Sequence, residues 1–179
     1  MHGTFFVALR RFVRDRWGDE VWDGVTASVP GSAGVYSPLR NYPDDEWRRL
    51  LQGVCASVKT DEDAMLESLG RFMFPELAQL YRAFINSSWS ALDFLEHVED
   101  TIHRAVRMND PQAAPPRLRV TRDSPRQVTI RYDSPRRLCA IARGLIARVA
   151  DAYREPLTVR EISCMRRGAA ECVFQVTTP

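Results

Sequence analysis

Lysine is almost absent. Lys59 is the only one among 25 basic residues, the others being arginine. So lopsided a choice between two cations reflects base composition in the coding sequence rather than a function. Charge of one sign is not in excess either. The formal net charge is +2, which gives no general attraction to nucleic acid or to an anionic membrane surface. Long hydrophobic runs are missing, and no stretch approaches the roughly 20 apolar residues that cross a bilayer. The apolar start of residues 1–15 is broken by Arg10 and Arg11, with no small-residue cleavage site of the kind an export signal carries. Cysteine is scarce, four in 179 residues, too few for a disulfide scaffold. These absences lead us to expect a cytoplasmic protein with reduced thiols that binds neither nucleic acid nor membrane. Repeats and low-complexity segments are absent. So are a phosphate-binding glycine loop, a paired-carboxylate motif and the Ser, His and Asp order of a hydrolase, which argues against an enzyme.

What is present is ordinary for a globular chain: 45% hydrophobic and 27% charged residues. A chain of 179 residues suits one domain with a sizeable core, or two tightly packed subdomains. In residues 4–23, Phe5, Leu9, Phe12, Val13 and Trp17 recur at helical spacing. Residues 28–43 are rich in Pro, Gly and Ser and read as a loop. Asp44 can cap a helix to about Thr60, with Trp47, Leu50, Leu51 and Val54 inward. A further helix starts at Asp61 or Asp63 and ends near Phe72, and a short one covers 76–86. The longest helical signal spans 90–109 and stops at Asn109-Asp110-Pro111.

The period then changes. Residues 117–123 and 126–133 alternate as strands do, 136–153 return to helical spacing, and 157–166 and 171–178 alternate again about a turn at Arg167-Gly168. The expected fold is therefore α+β: a helical N-terminal half packed on a C-terminal four-stranded antiparallel sheet with its own helix.

Tyr132, Ser134 and Arg136 lie two apart where a strand runs out. In extended backbone such side chains share a face. A phenol, a hydroxyl and a guanidinium then form a small patch of donors suited to a carboxylate or phosphate. A polar sheet face meeting solvent would have the same spacing. His103 sits in a long, mostly apolar helix. A neutral imidazole there is either an axial ligand to heme iron or a surface or core residue. His97 lies one helix face away, and His2 stands near the terminus.

Together these features resemble the heme-nitric oxide/oxygen binding family of bacteria, related to the heme domain of soluble guanylate cyclase. The resemblance runs from Met1-His2-Gly3, through Pro43–Glu46 and the segment from Leu66 to Arg71, to His103. It continues through Pro115-Pro116-Arg117-Leu118 and then Tyr132, Ser134 and Arg136, so it covers essentially the whole chain. It implies a single sensor domain over 1–179, with a helical subdomain to about residue 86 and a proximal helix and sheet from about 87. A b-type heme would lie between the two, with His103 as proximal ligand. Tyr132, Ser134 and Arg136 would hold the propionates, and Pro116 would press on the porphyrin; by itself Pro116 also reads as a rigid turn. The implied signal is release of His103, movement of the helical half against the sheet half, and recognition by a separate protein such as a histidine kinase or a cyclic-dinucleotide enzyme.

Oxygen-binding members of that family carry a distal Tyr on the helix after Arg136; the matching position here is Ile141, beside Ala140 and Ala142. Phe72-Met73-Phe74, Leu145 and Phe5 are also apolar. A pocket without a hydrogen-bond donor suits nitric oxide, with carbon monoxide as a further ligand, and disfavours dioxygen. Tyr81 would reverse this reading if it folded over the iron.

Cys164 and Cys172 are equally spaced about Gly168, so a hairpin there brings them together, and Cys139 opens the preceding helix. Three converging thiolates suit a structural zinc site. Some members of the family carry one, with a His where this chain has Glu161, so the fourth ligand departs from the pattern. The cysteines read equally as buried apolar residues or a redox-sensitive pair, and a heme-independent zinc or thiol switch is the alternative function. Cys55 is expected in the N-terminal core.

Overall fold

Helical spacing in the first part of the chain produces two helices rather than one. In a computed structural model, which describes residues 1–110 and 113–179, α1 (Gly3–Trp17) and α2 (Asp19–Ser28) meet at Gly18, whose φ of 88° ends the first and starts the second. The left-handed region is where glycine costs least, so the predicted 4–23 helix breaks there. The loop of residues 29–43 follows. Then come α3 (Asp44–Val58), with three acidic residues in its first turn, and α4 (Glu62–Leu80), capped by the Asp61 carboxylate on Ala64 N at 3.0 Å.

The predicted break near Phe72 and separate helix over 76–86 are not found. Helix α4 runs through Pro75, and only a 3-10 turn, Arg82–Phe84, follows it. A proline inside a helix removes one backbone hydrogen bond. Here Met73 and Phe74 are buried before it and Leu77 packs on the core after it, which keeps both halves in line.

The long signal over 90–109 contains a change of pitch. Helix α5 (Ala91–His97) opens with a Ser90/Asp93 capping box. A π-type turn, Glu99–His103, follows, and α6 (Arg104–Asn109) completes the run. Pro111, the expected helix stop, lies outside the described residues.

The sheet contains β1 (Arg117–Ser124), β2 (Gln127–Asp133), β3 (Thr158–Ser163) and β4 (Cys172–Thr177) in the order β1-β2-β4-β3, every neighbouring pair antiparallel. Val128, Ile130 and Tyr132 of β2 and Cys172, Phe174 and Val176 of β4 point inward, as period-2 alternation requires. Helix α7 (Cys139–Tyr153) covers that inner face. It starts later than residue 136 because Arg137 adopts a φ of 53°, so Ser134 and Arg136 belong to a turn. The reversal at Arg167-Gly168 is a 3-10 turn, Met165–Arg167, closed by Gly168 at φ 91°.

Two apolar clusters result. One, around Phe6, Leu9, Trp47, Leu50 and Leu66, holds the helical half; the other, around Leu92, Ile130, Ile146 and Phe174, holds the sheet half. Cys55 packs at the margin of the first, half-buried. Helices α4 and α7 cross between the two clusters. The architecture is α+β with a helical N-terminal half on an antiparallel sheet, as expected. Among the described residues no helix is long and apolar enough to cross a membrane.

Candidate functional site

A cavity of about 480 Å³ opens between the two halves. Its walls come from the start of α1, the end of α4, the α5–α6 run, the Pro115–Leu118 segment, β2 and α7. All five residues expected at a heme site, His103, Pro116, Tyr132, Ser134 and Arg136, line this one cavity.

His103 reaches it from the π-type turn. Its Nδ1 lies 2.9 Å from Glu99 Oε2. The same carboxylate accepts from the Leu118 backbone N–H at 3.1 Å and from Arg107. Burial pushes the Glu99 carboxyl up, but the hydrogen bonds from His103 and Arg107 outweigh it and hold the group below its usual range. With Nδ1 donating to a carboxylate, Nε2 is the nitrogen left to bind a metal.

The polar end of the cavity is built from the turn after β2. Tyr132 and Ser134 are buried. Burial drives the Tyr132 phenol well above its ordinary range, so it stays a protonated donor. Arg136 donates from Nε to Asp44 at 2.8 Å and from a terminal nitrogen to the Ala114 carbonyl at 2.7 Å. Asp44 also receives the Met1 ammonium. The guanidinium is thus tied to α3 and to the chain terminus. The apolar wall includes Phe5, Phe74, Ile141, Ala142 and Leu145. Ala140 and Met73 instead pack in the helical core, with Phe72 partly buried against it.

These residues fit heme: a largely apolar cavity, an imidazole on its wall with Nδ1 held by a carboxylate, and hydroxyl and guanidinium groups able to bind carboxylates. Sequence reasoning undervalued four participants. Glu99 could have been found from its i, i+4 spacing to His103. Asp44 meets Arg136 across 92 positions, a separation with no local signature. Tyr81 and His2 also line the cavity. The His2 Nδ1 is 2.9 Å from Thr4 Oγ1. Burial raises the Tyr81 phenol pKa.

The cysteines converge as the spacing suggested. Ligand atoms of Cys139, Glu161, Cys164 and Cys172 lie within 4.8 Å of one another. Cys139 Sγ is 3.6 Å from Cys164 Sγ, and Cys172 Sγ accepts from Met165 N at 3.1 Å. Burial, with the neighbouring thiols, drives the Cys139 thiol pKa up. Glu161 Oε2 accepts from Arg167 at 2.9 Å and from Arg143 at 3.3 Å, while its Oε1 is buried without a hydrogen-bond partner.

The fold is shared with solved structures of H-NOX proteins. One from S. oneidensis in the Fe(II)NO ligation state is 23% identical, superposes with a TM-score of 0.92, and is matched over 100% of this chain and 99% of that one. An Fe(II) unliganded H-NOX protein from K. algicida is also 23% identical, with a TM-score of 0.91 over 100% of this chain and 97% of that one. The I5F mutant of T. tengcongensis H-NOX is 22% identical, with a TM-score of 0.88 over 99% and 97%. No curated protein matches the chain. A family model described as Haem-NO-binding matches residues 2–161, and the chain therefore belongs to the heme-binding H-NOX family.

Proposed function

We propose that the chain is a heme-based nitric oxide sensor that signals to a separate protein and is not itself a catalyst. One arrangement carries the reading: His103 on the wall of an apolar cavity, its Nδ1 engaged by Glu99 and its Nε2 left for iron. Bound there, heme b supplies a ferrous iron able to take a diatomic gas. His103 would hold the iron, Tyr132, Ser134 and Arg136 would bind the propionates, and Pro116 would bear on the ring. The wall formed by Phe5, Ile141, Ala142 and Leu145 offers no hydrogen-bond donor from its side chains, which supports nitric oxide, and carbon monoxide as a further ligand, over dioxygen. The chain's own contribution to signalling is movement. The helix bearing His103 is hydrogen-bonded to β1 through Glu99, so displacement of His103 is felt in the sheet half. A histidine kinase or a cyclic-dinucleotide enzyme is the kind of partner that would read it.

The test is an absorption spectrum of the reduced protein before and after nitric oxide, then in air, beside His103→Ala. A Soret band that shifts with nitric oxide, forms no stable complex in air and is lost in the variant supports the reading. No heme band after reconstitution with hemin overturns it.

The alternative, a heme-independent zinc or thiol switch, draws on the cysteine cluster. What favours a metal there is the buried, partnerless Glu161 Oε1 beside three converging thiols, since a buried carboxylate oxygen ordinarily has a partner. The four donors are Cys139, Glu161, Cys164 and Cys172, the number structural zinc takes.

A further inference from the structure

Glu99 joins the ligand helix to the sheet. Its side chain is 20% exposed, and its carboxylate is approached from three sides. Oε2 faces both His103 Nδ1 at 2.9 Å and Leu118 N at 3.1 Å, while Oε1 accepts from Arg107 at 2.5 Å. Arg107 and the Leu118 N–H can only donate. The carboxylate is therefore an acceptor throughout, and the imidazole must donate from Nδ1.

The π-type turn belongs to the same arrangement. His103 N donates to Val98 O at 3.0 Å, five residues back instead of four. The extra residue changes where the His103 ring emerges relative to the rest of the helix. Thr101 Oγ1 donates to the His97 carbonyl at 2.6 Å within the same irregular stretch. Strand β1 is at the edge of the sheet, paired on one side with β2. An outward N–H on an edge strand needs a partner from elsewhere, and at Leu118 that partner is Glu99. Leu118 is two residues beyond Pro116, so one carboxylate oxygen bridges the imidazole and the segment that carries the cavity's proline.

We propose that Glu99 is the positioning residue for His103, fixing its Nδ1–H tautomer, enriching Nε2 as a donor to iron and carrying movement of the ring directly into β1. This deepens the sensor reading and rests on it for the role of iron. A carboxylate on the far nitrogen of a metal-bound imidazole raises its donor strength. Glu99 therefore opposes release of His103, and the helix cannot withdraw without pulling on Leu118 N or breaking that bond.

The experiment has two arms. The first uses the heme-free protein and does not depend on heme. Long-range ¹H–¹⁵N spectra report the His103 tautomer, and amide hydrogen exchange reports Leu118. The wild type is expected to show a protonated Nδ1, a bare Nε2 and a protected Leu118 amide. Glu99→Ala should lose the tautomer preference and that protection. Glu99→Gln, which keeps the shape and an acceptor oxygen but loses the charge, should retain the Nδ1–H form. A wild-type His103 protonated at Nε2, or a Leu118 amide equally protected in Glu99→Ala, overturns the proposal. The second arm uses the ferrous heme-loaded protein. Resonance Raman should show a lower iron–Nε2 stretching frequency in Glu99→Gln than in wild type, with a higher reduction potential and unchanged circular dichroism. An unchanged frequency and potential overturn the proposed effect on iron. Failure of both proteins to take up heme overturns the sensor reading instead, and the first arm still decides whether Glu99 positions His103.

Discussion

Gly70 of α4 lies directly against the Ile141 backbone of α7: a β-carbon at Gly70 would collide with the Ile141 carbonyl oxygen and stand 3.0 Å from its carbon and 3.1 Å from its Cα. Gly144 repeats the relationship one turn along, against the Glu67 carbonyl. The two halves of the protein are held at this crossing, and Ile141 also lines the cavity. The opposing atoms are backbone, so they cannot swing aside. Gly70→Ala must therefore push the helices apart, and overpacking of this kind costs about 1–3 kcal/mol. In a chain of this length that lowers Tm by roughly 2–12 °C. Thermal unfolding checks it. The same variant should perturb the cavity through Ile141, read as a shifted Soret band in the heme-loaded protein. An unchanged Tm would mean that the crossing yields to the added methyl group without cost.

The change of hydrophobic period after Pro115-Pro116 made the division into helical and sheet halves readable, because side-chain alternation follows directly from backbone geometry. The shared placement of Tyr132, Ser134 and Arg136 was readable from their spacing, although Ser134 and Arg136 proved to lie on a turn beyond the strand. The helix expected to end near Phe72 instead runs on through Pro75, because Phe74 and Leu77 are held in line by packing from outside the helix, which a local pattern does not contain. The π-type turn has no composition of its own; it appears only when the hydrogen bond from His103 to Val98 is traced. Contacts such as Asp44 with Arg136, or Arg143 with both Glu67 and Glu161, depend on how distant elements pack, and pattern reading along one chain does not reach them.

Asp44 gives stability a pH dependence with a definite sign. Burial raises its pKa, but hydrogen bonds from Arg136 and the Met1 ammonium prevail, and the folded-state value lies below that of an ordinary aspartate. A group depressed in the folded state stabilises the protein above its unfolded pKa, near 4. That stabilisation is lost as pH falls through the folded value. The stability difference between wild type and Asp44→Asn should therefore be constant above about pH 5 and shrink on further acidification. Urea denaturation at several pH values measures it. A difference that grows toward low pH contradicts the pairing.

Tyr81 adds a second phenol, beside Tyr132, to the cavity wall, and its part in gas selection can be tested. It follows the end of α4, and burial keeps it protonated, so it is available as a donor. If the ligand side of the cavity is governed by Phe5, Ile141 and Leu145, Tyr81→Phe will leave the spectrum in air and the response to nitric oxide unchanged. Ile141→Tyr places a phenol on the apolar wall itself and should create a measurable dioxygen complex. A wild-type dioxygen complex that disappears in Tyr81→Phe would move the donor role to Tyr81 and overturn selectivity for nitric oxide.

Glu161 distinguishes a metal centre from a cluster of buried thiols. A carboxylate oxygen of Glu161 and the sulfurs of Cys139, Cys164 and Cys172 lie close enough to serve as four donors; Glu161 Oε1 is buried without a hydrogen-bond partner, and Arg143 and Arg167 lie on Oε2. Those guanidiniums offset the negative charge that three thiolates and a carboxylate would bring together. Burial and mutual repulsion keep the Cys139 thiol protonated without a cation, so binding zinc must displace protons and affinity should fall as pH is lowered. Protein purified in zinc-containing medium should carry about one zinc per chain, as a single four-ligand site requires. Cys164→Ser should abolish retention, and Glu161→Ala should weaken it while leaving the thiols in place. Removing the metal with a chelator should lower Tm, because the fold brings the four donors together and an ion held there favours the folded state. If the wild type holds no zinc by elemental analysis and a chelator leaves Tm unchanged, the three cysteines act as buried apolar residues. Glu161 would then owe its position to Arg143 and Arg167 alone.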